Sequence, residues 1–552
     1  MRARILSAGL VLAATGAFVA AIELAAPAPG PVGQLIAAAR EQPTTVPGRS
    51  ARTSLREVPT RTYADAPPPA SDDIAAWPTP ETVPDRDADP ERDPVPAGPD
   101  DGGAQPSPDG LHGASVGGDQ VTGLLQFRGN PTRTFYGLGP LPTDPEVAWR
   151  FPERPMCSTE GSGEQQRSWC GTGWTGQPLV WERDDGVTEV IFGAYDGAVH
   201  FLDAATGQPT RPPLRTGFMV KGTETLDPDG YPLLYVGSRD GFLRIVALDR
   251  DEPTELWRLG RHPQGRWNND WDANPSMVDD VLHVGGEDSW YRAVRVNRGY
   301  DDQGRVQVDP EILVEVPAWT DELIAAIGDG NVSIESSPAV TDDAVYWVNS
   351  GGRVVGLDRA AVEAGEVEIV LDYWVGDDAD ASIVVDVEGF LYVTVELQRF
   401  LPRAEEVGQL VKLDPRRADD PRVWGVGIPP LAPGSDGGAW ATPALYGDHL
   451  YLPTHPGELL VVDRHDGEVV WREQLGFHEW SSPAVVEDDD GHPWLLVGRC
   501  NQPGLRAYDL ADPTAPREVW TLPMAGCIES TPAVWRGSIY VGSRDGFFYA
   551  VR

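Results

Sequence analysis

Lysine and arginine together number 44 against 85 acidic residues, so the chain is poor in positive charge and carries a formal −41. Nucleic acid and anionic lipid headgroups share that sign, and neither is expected as a partner. Motifs for local chemistry are missing as well. There is no HExxH, no P-loop and no GxGxxG that opens a helix, so the signatures of zincins and nucleotide-binding folds are absent. The nine histidines are scattered, and His455, His465 and His478 fall at loop positions expected to face solvent. DDDG at 488 and DPDG at 227 lack the spaced ligands of a calcium loop and read as hairpin turns. Cysteine is scarce too. No Cys precedes Cys157, so no cysteine-borne lipid anchor is expected after the apolar start, and no CxxC or paired His supports reduced, metal-binding cysteines.

What is present begins with Arg2 and Arg4 ahead of an apolar run from Ile5 to Ile22. A basic start, an apolar core and small residues at 19–21 fit a secretory signal, and the length of the run equally permits an uncleaved membrane anchor over 1–24. Residues 25–118 are rich in Pro, Ala, Asp and Gly and too poor in aliphatic residues to form a core. They are expected to be a disordered spacer. Helical segments are nearly absent, apart from DELIAAIG at 321.

From residue 119 onward the chain repeats. GQPLV at 176, a worn KGTETL at 221, ANPSMV at 273, SSPAVT at 336, ASIVVD at 381, ATPALY at 441, SSPAVV at 481 and STPAVW at 530 open eight units. Their spacing of about forty to sixty residues suits propeller blades. Each unit has short alternating apolar runs, an S-x-D-G turn, a strand ending in Asp, and in most cases a last strand with Trp. The final unit stops at GFFYAVR without its Trp strand, while an orphan Trp strand, VAWRF around Trp149, stands at the front. The expectation is an all-β, eight-bladed propeller of four-stranded blades over 119–552, closed where Trp149 pairs with 547–551. The repeated Trp residues are read as wedges between blades.

Strand alternation places the loops between blades, and those between second and third strands, on one face. Cys157, Cys170, Cys500 and Cys527 all fall in such loops, and an exported chain should pair them as 157–170 and 500–527. Three positions before the repeat Pro stand Asp272, Glu335, Glu529, Trp440 and Trp480, with Asp380 roughly equivalent. Equivalent points of a radial repeat converge on the axis, so four acids and two indoles should ring one funnel. The Gly-rich WCGTGWTG, with Trp169 and Trp174, belongs on its rim. Such a ring suits a cation, with Glu335 and Glu529 as the candidate metal ligands, or a sugar or peptide stacked on the indoles. Alternatively, the carboxylates serve the fold by accepting backbone N–H bonds from neighbouring blades.

The pattern [ST]-P-A-V, YVGSRDG, then Asp, TG and W resembles the PQQ-like propeller repeat. That family includes quinoprotein dehydrogenases and non-enzymatic envelope scaffolds. LLQFRGNPTRTFYGLGPLP at 124–142 is similar to the opening segment of exported bacterial members. The enzyme branch implies a pair of adjacent cysteines beside the quinone, and often a CxxCH haem site; neither is here. Asp272, Asn274 and Glu335 are merely the right residue types for its calcium set. The resemblance therefore implies fold more than chemistry. A monomeric, exported, non-catalytic propeller is expected, binding a protein, peptide or glycan of the cell exterior at its axial face, with the membrane met only through the N-terminal segment. The alternative is a PQQ- and calcium-dependent dehydrogenase.

Overall fold

The computed structural model describes residues 121–160, 167–173, 176–417 and 419–552. The apolar run and the Pro/Asp-rich segment of 1–118 lie outside the described residues, as does Trp174. Among the described residues no helix is long and apolar enough to cross a membrane.

Eight antiparallel sheets follow one another along the chain. Blades 1 to 7 span 179–215, 225–260, 276–317, 339–374, 384–426, 444–474 and 484–523, and blade 8 joins 533–551 to 147–151. Burial falls outward in most blades, although the outermost strand of blade 3, Glu311–Pro317, stays largely buried. The second strand of blade 2, Leu233–Ser238, is buried at every position, whereas the outermost strand of blade 6, Val469–Gln474, alternates half-buried and exposed residues. Inner strands are covered on both faces by neighbouring blades; outer strands meet solvent, which is why only they show the two-residue period. The S-x-D-G turns behave as their sequence demands. Gly241 and Gly546 sit at φ +95° and +101°, while Asp240 and Asp545 each accept the N–H two residues on.

The ring closes as the split repeat predicts. Trp149 pairs with Ala550 and Phe151 with Phe548, so the first described Trp strand is the fourth strand of the last blade. Its indole is the expected wedge. Trp149 donates Nε1–H to the carbonyl of Ala204 in blade 1 (3.1 Å) and lies so close over Gly207 that a Cβ there would sit 2.6 Å from the ring. Trp424 of blade 5 repeats the arrangement on blade 6, with Nε1 to the Arg464 carbonyl (3.1 Å) and the ring over Gly467. The recurrent TG and DG of the hairpins thus clear room for the neighbour's tryptophan.

The hydroxyl before the repeat proline also has a structural role. Asn274 N–H donates to Ser337 Oγ, Ser337 to Ser382, Ser382 to Thr442, and Thr442 to Ser482, at 2.9–3.1 Å. Each hydroxyl accepts from the equivalent residue one blade earlier, stitching the inner strands into a belt. Gln177 N–H to Thr223 Oγ1 (2.7 Å) sets blade 2 in the same register despite its worn sequence.

Inside that belt runs the opening segment itself. Residues 122–124 pair with the innermost strand of blade 1, and 137–138 run parallel to the innermost strand of blade 8. Between them the chain occupies the axis. The Leu125, Pro131 and Thr132 carbonyls accept from Leu226, Val340 and Val385 of blades 2, 4 and 5. Arg133 reaches the Ser276 hydroxyl of blade 3 and the Pro338 carbonyl of blade 4. Arg128 donates to the carbonyls of Pro443 and Pro483 in blades 6 and 7, at 2.7 and 2.9 Å. The Tyr136 hydroxyl also bonds Leu445 of blade 6. All eight blades are touched. Innermost strands leave backbone groups unpaired on their axial side, and buried backbone groups need partners; this segment supplies them.

Candidate functional site

In blades 2 to 8 one residue stands two positions before each belt hydroxyl or its equivalent. Lys221, Asp272, Glu335, Asp380, Trp440, Trp480 and Glu529 occupy this position in blades 2 to 8. Of the six named from the sequence, Glu335 is near enough to Asp272 and Asp380 to be repelled by both, Trp440 stacks on Trp480, and Trp480 and Glu529 both contact His478. Lys221, one of two lysines in the chain, is the member the sequence concealed, because blade 2 lacks the marker proline.

In blades 2 to 5 this position is charged. Lys221 Nζ pairs with Asp270 (2.9 Å), with Asp272, and with Glu287 (3.5 Å). Burial alone would depress the ammonium, but these three acids and Glu335 hold it well above the usual lysine range. Arg239 joins the same group, bridging Asp270 (2.9 Å) to Glu160 of the 157–170 hairpin (2.8 Å). Further round, the Ser350 hydroxyl donates to Asp380, and Arg399 lies 3.4 Å from Asp378. Burial and mutual repulsion push Glu287 up to about 8 and Asp378 up to about 7. The same causes hold Asp272, Glu335, Asp380 and Glu396 well above the carboxylate range. Glu335 links the two groups, repelled by Asp380 and Asp272 and eased by Lys221.

In blades 6 and 7 it is aromatic. Trp440 and Trp480 stack at 5.4 Å and 15°, Trp440 lies 4.1 Å from the His455 ring, and His478 stacks on Trp480 at 3.9 Å. Trp480 donates Nε1–H to Nδ1 of His455 (2.7 Å), so any ring proton of neutral His455 sits on Nε2. Burial and the neighbouring His478 push His455 down to about 4. Phe477, 44% exposed, extends this wall to solvent against His455 at 4.6 Å.

Several sequence expectations change here. His455 does not face solvent; it is buried in the stack, and His478 packs on Trp480. His465 is exposed as expected, beside Asp448. The ring acids do not all serve backbone N–H groups of neighbouring blades: Asp272 meets Lys221, Glu335 accepts from the Ser333 hydroxyl, and Glu529 lies 3.4 Å from both His478 and Arg544. Among the described residues, the groups near enough to share an ion are Asp270, Asp272 and Glu287; Asp378, Asp380 and Glu396; and one that contains Glu529, while Glu335 falls in none of them. Trp169, on the rim, meets Tyr195 edge-on at 5.9 Å, with Arg544 over both rings.

Both disulfides have the expected connectivity, Cys157 with Cys170 and Cys500 with Cys527. The first staples the rim hairpin, whose strands pair these two residues directly. The second joins the loop after the second strand of blade 7 to the linker into blade 8.

Eight four-stranded blades, a belt of hydroxyls before the repeat prolines and Trp-on-Gly wedges define an eight-bladed β-propeller. Residues 432–552 match the family model for the outer membrane protein assembly factor BamB. A curated "1-butanol dehydrogenase (quinone)" from Thauera butanivorans is 29% identical over 154 residues, covering 26% of this chain and 23% of that protein. The chain thus matches less than a quarter of that relative's length. Among solved structures, BamB from Moraxella catarrhalis is 11% identical, with 74% of this chain and 98% of that one covered and a TM-score of 0.35. A europium-containing methanol dehydrogenase is 14% identical, with 77% and 98% covered and a TM-score of 0.48.

Proposed function

We propose that this is an exported, non-catalytic binding propeller whose axial mouth takes a protein or peptide segment of the cell exterior. The observation that carries the reading is that Trp440 and Trp480, stacked with His455 and His478, and the buried carboxylates Asp272, Glu335 and Asp380 stand at equivalent positions of successive blades. An aromatic wall supplies area at low entropic cost, and a carboxylate wall recognises a basic group or N–H donors. A side chain with an apolar stem and a cationic head, such as lysine or arginine, suits both walls at once. The opening segment runs between the innermost strands and bonds to every blade. Export rests on the apolar run at 5–22 behind Arg2 and Arg4, and on the two disulfides.

The match to a quinone-dependent dehydrogenase makes a redox enzyme the second reading. A hard dication needs several carboxylate oxygens close together. Asp270, Asp272 and Glu287 already share the ammonium of Lys221, whereas Asp378, Asp380 and Glu396 lie near enough to one another to hold a cation. No catalytic step is derived through that cofactor.

The test is binding of the full chain to arrays of basic peptides, neutral peptides and glycans, with Trp480→Ala alongside. Retention of basic peptides by the wild type and their loss in Trp480→Ala supports the reading. Glycan retention alone would replace the ligand class. A quinone absorption band that appears on adding PQQ and calcium, with dye-linked alcohol oxidation, would overturn it.

A further inference from the structure

No CxxC or paired histidine stands near the cysteines in sequence, yet the fold brings both kinds of partner to one of the pairs. A ring nitrogen of His478, the sulfurs of Cys500 and Cys527, and a carboxylate oxygen of Glu529 all lie within 4.8 Å of one another. His478 comes from the linker into blade 7, Cys500 from the loop after that blade's second strand, and Cys527 and Glu529 from the linker into blade 8. We propose that reduction of the Cys500–Cys527 disulfide turns this group into a tetrahedral site for a thiophilic divalent ion, zinc being the natural occupant.

The donor set and spacing suit that ion. Zinc binds thiolate at about 2.3 Å and imidazole or carboxylate at about 2.0–2.2 Å, so its tetrahedral ligand atoms stand about 3.3–3.8 Å apart. Nε2 of His478 is 3.4 Å from Oε1 of Glu529, and Sγ of Cys527 is 3.7 Å from the same oxygen. All four residues are partly exposed, so both a reductant and an ion can reach them. Supporting contacts hold the ligands in place. Trp480 stacks on His478, Arg544 lies 3.4 Å from the other Glu529 oxygen, and Cys500 N–H donates to Glu479 (2.9 Å).

The reaction balances in two steps. A dithiol reductant passes two electrons and two protons to the S–S bond, giving two thiols and its own disulfide. Zinc then binds both sulfurs as thiolates, a neutral imidazole and one carboxylate, and two protons leave to solvent. The oxidised pair has surrendered both thiolates to the S–S bond and cannot make the site. Because His478 is also part of the aromatic wall, metal capture fixes that wall to the blade 7–8 junction. Among the described residues, no comparable group surrounds Cys157 and Cys170, which makes that pair an internal control.

Cobalt(II) is the optical probe. Full-length protein, reduced by a phosphine and freed of it under anaerobic conditions, is titrated with cobalt while tryptophan fluorescence reports folding. The proposal expects a single saturating equivalent with sulfur-to-metal charge-transfer bands and tetrahedral d–d bands, displaced by zinc and absent from the oxidised protein. The signal should persist in Cys157→Ser/Cys170→Ser. It should vanish in Cys527→Ser, and His478→Ala should weaken binding by about tenfold or more. Cobalt bound without thiolate bands, a signal that follows Cys157 and Cys170, indifference to His478→Ala, or a reduced wild type that has lost its fold would each overturn the proposal.

Discussion

Removing the ammonium of Lys221 strands three acids. Lys221→Met leaves Asp270, Asp272 and Glu287 buried beside one another with only Arg239 to offset them, and breaking a buried pair from one side costs about 3–5 kcal/mol. The urea midpoint should fall, and fall less at about pH 5 than at about pH 8, because protonation of the acids relieves the repulsion. Replacing Asp272 by Asn in that background should recover part of the loss. Glu224 offers a cleaner titration. Its carboxylate is buried against Gly193 of blade 1 with no side-chain partner, and burial pushes it up to about 8. Its folded value lies above its unfolded one, so the folded chain binds the extra proton. That contribution is complete below about pH 4.5 and is lost as pH rises through about 8, at up to about 1.4 kcal/mol per unit. Thermal melts of the wild type should therefore drop from about pH 6 to about pH 8.5, and Glu224→Gln should flatten the slope.

Among the elements, the Trp-bearing outer strands and the axial segment hold the blades together in different ways. Trp149→Ala empties the wedge between blades 8 and 1 and should cost about 3–5 kcal/mol, as large aromatic truncations do. Arg133→Met removes the guanidinium donor of the Phe127 carbonyl and leaves the Pro338 carbonyl with the Ser276 hydroxyl alone, and should cost about 1–3 kcal/mol, measured by chemical unfolding. These elements were not equally legible in the sequence. The blades, the closure and the disulfide pairing could be read because each follows from a repeat and its phase. The equivalent positions of Asp272, Glu335, Asp380, Trp440, Trp480 and Glu529 before the belt could be read for the same reason. Lys221 could not, since KGTETL has lost the proline that marks the register. Asp270, Glu287, Asp378 and Glu396 come from positions the repeat does not flag; a backbone bond joins Asp270, in the linker into blade 3, to Glu287 of that blade, and another joins Asp378, in the linker into blade 5, to Glu396. His455 looked like a loop histidine because the rings that bury it, Trp440 and Trp480, meet it only once the inner strands of blades 6 and 7 are side by side. The motif LLQFRGNPTRTFYG was noticed, but nothing local says that two arginines would be wholly buried. Their acceptors are carbonyls supplied by blades hundreds of residues later.

For the molecule as a whole, truncation separates what the ring needs from what precedes it. A chain beginning at residue 119 should melt with the full chain. One beginning at residue 143 keeps the closing strand yet loses the axial segment, and should unfold far below it. Matching melts for both truncations would show that the axial contacts are dispensable. The same segment has a consequence for descent. A protein assembled from like units ordinarily changes size by duplicating or losing one, since each unit answers only to its neighbours. Here a stretch that contains no copy of the repeat holds a separate bond or strand pairing for every blade, each at its own bearing around the axis. A ninth blade would have no bearing to occupy, and a seventh-blade deletion would leave Arg128 short of an acceptor. The number of blades is thus recorded outside the repeats, and lineages carrying this opening segment should vary in loops and rim while their count stays at eight.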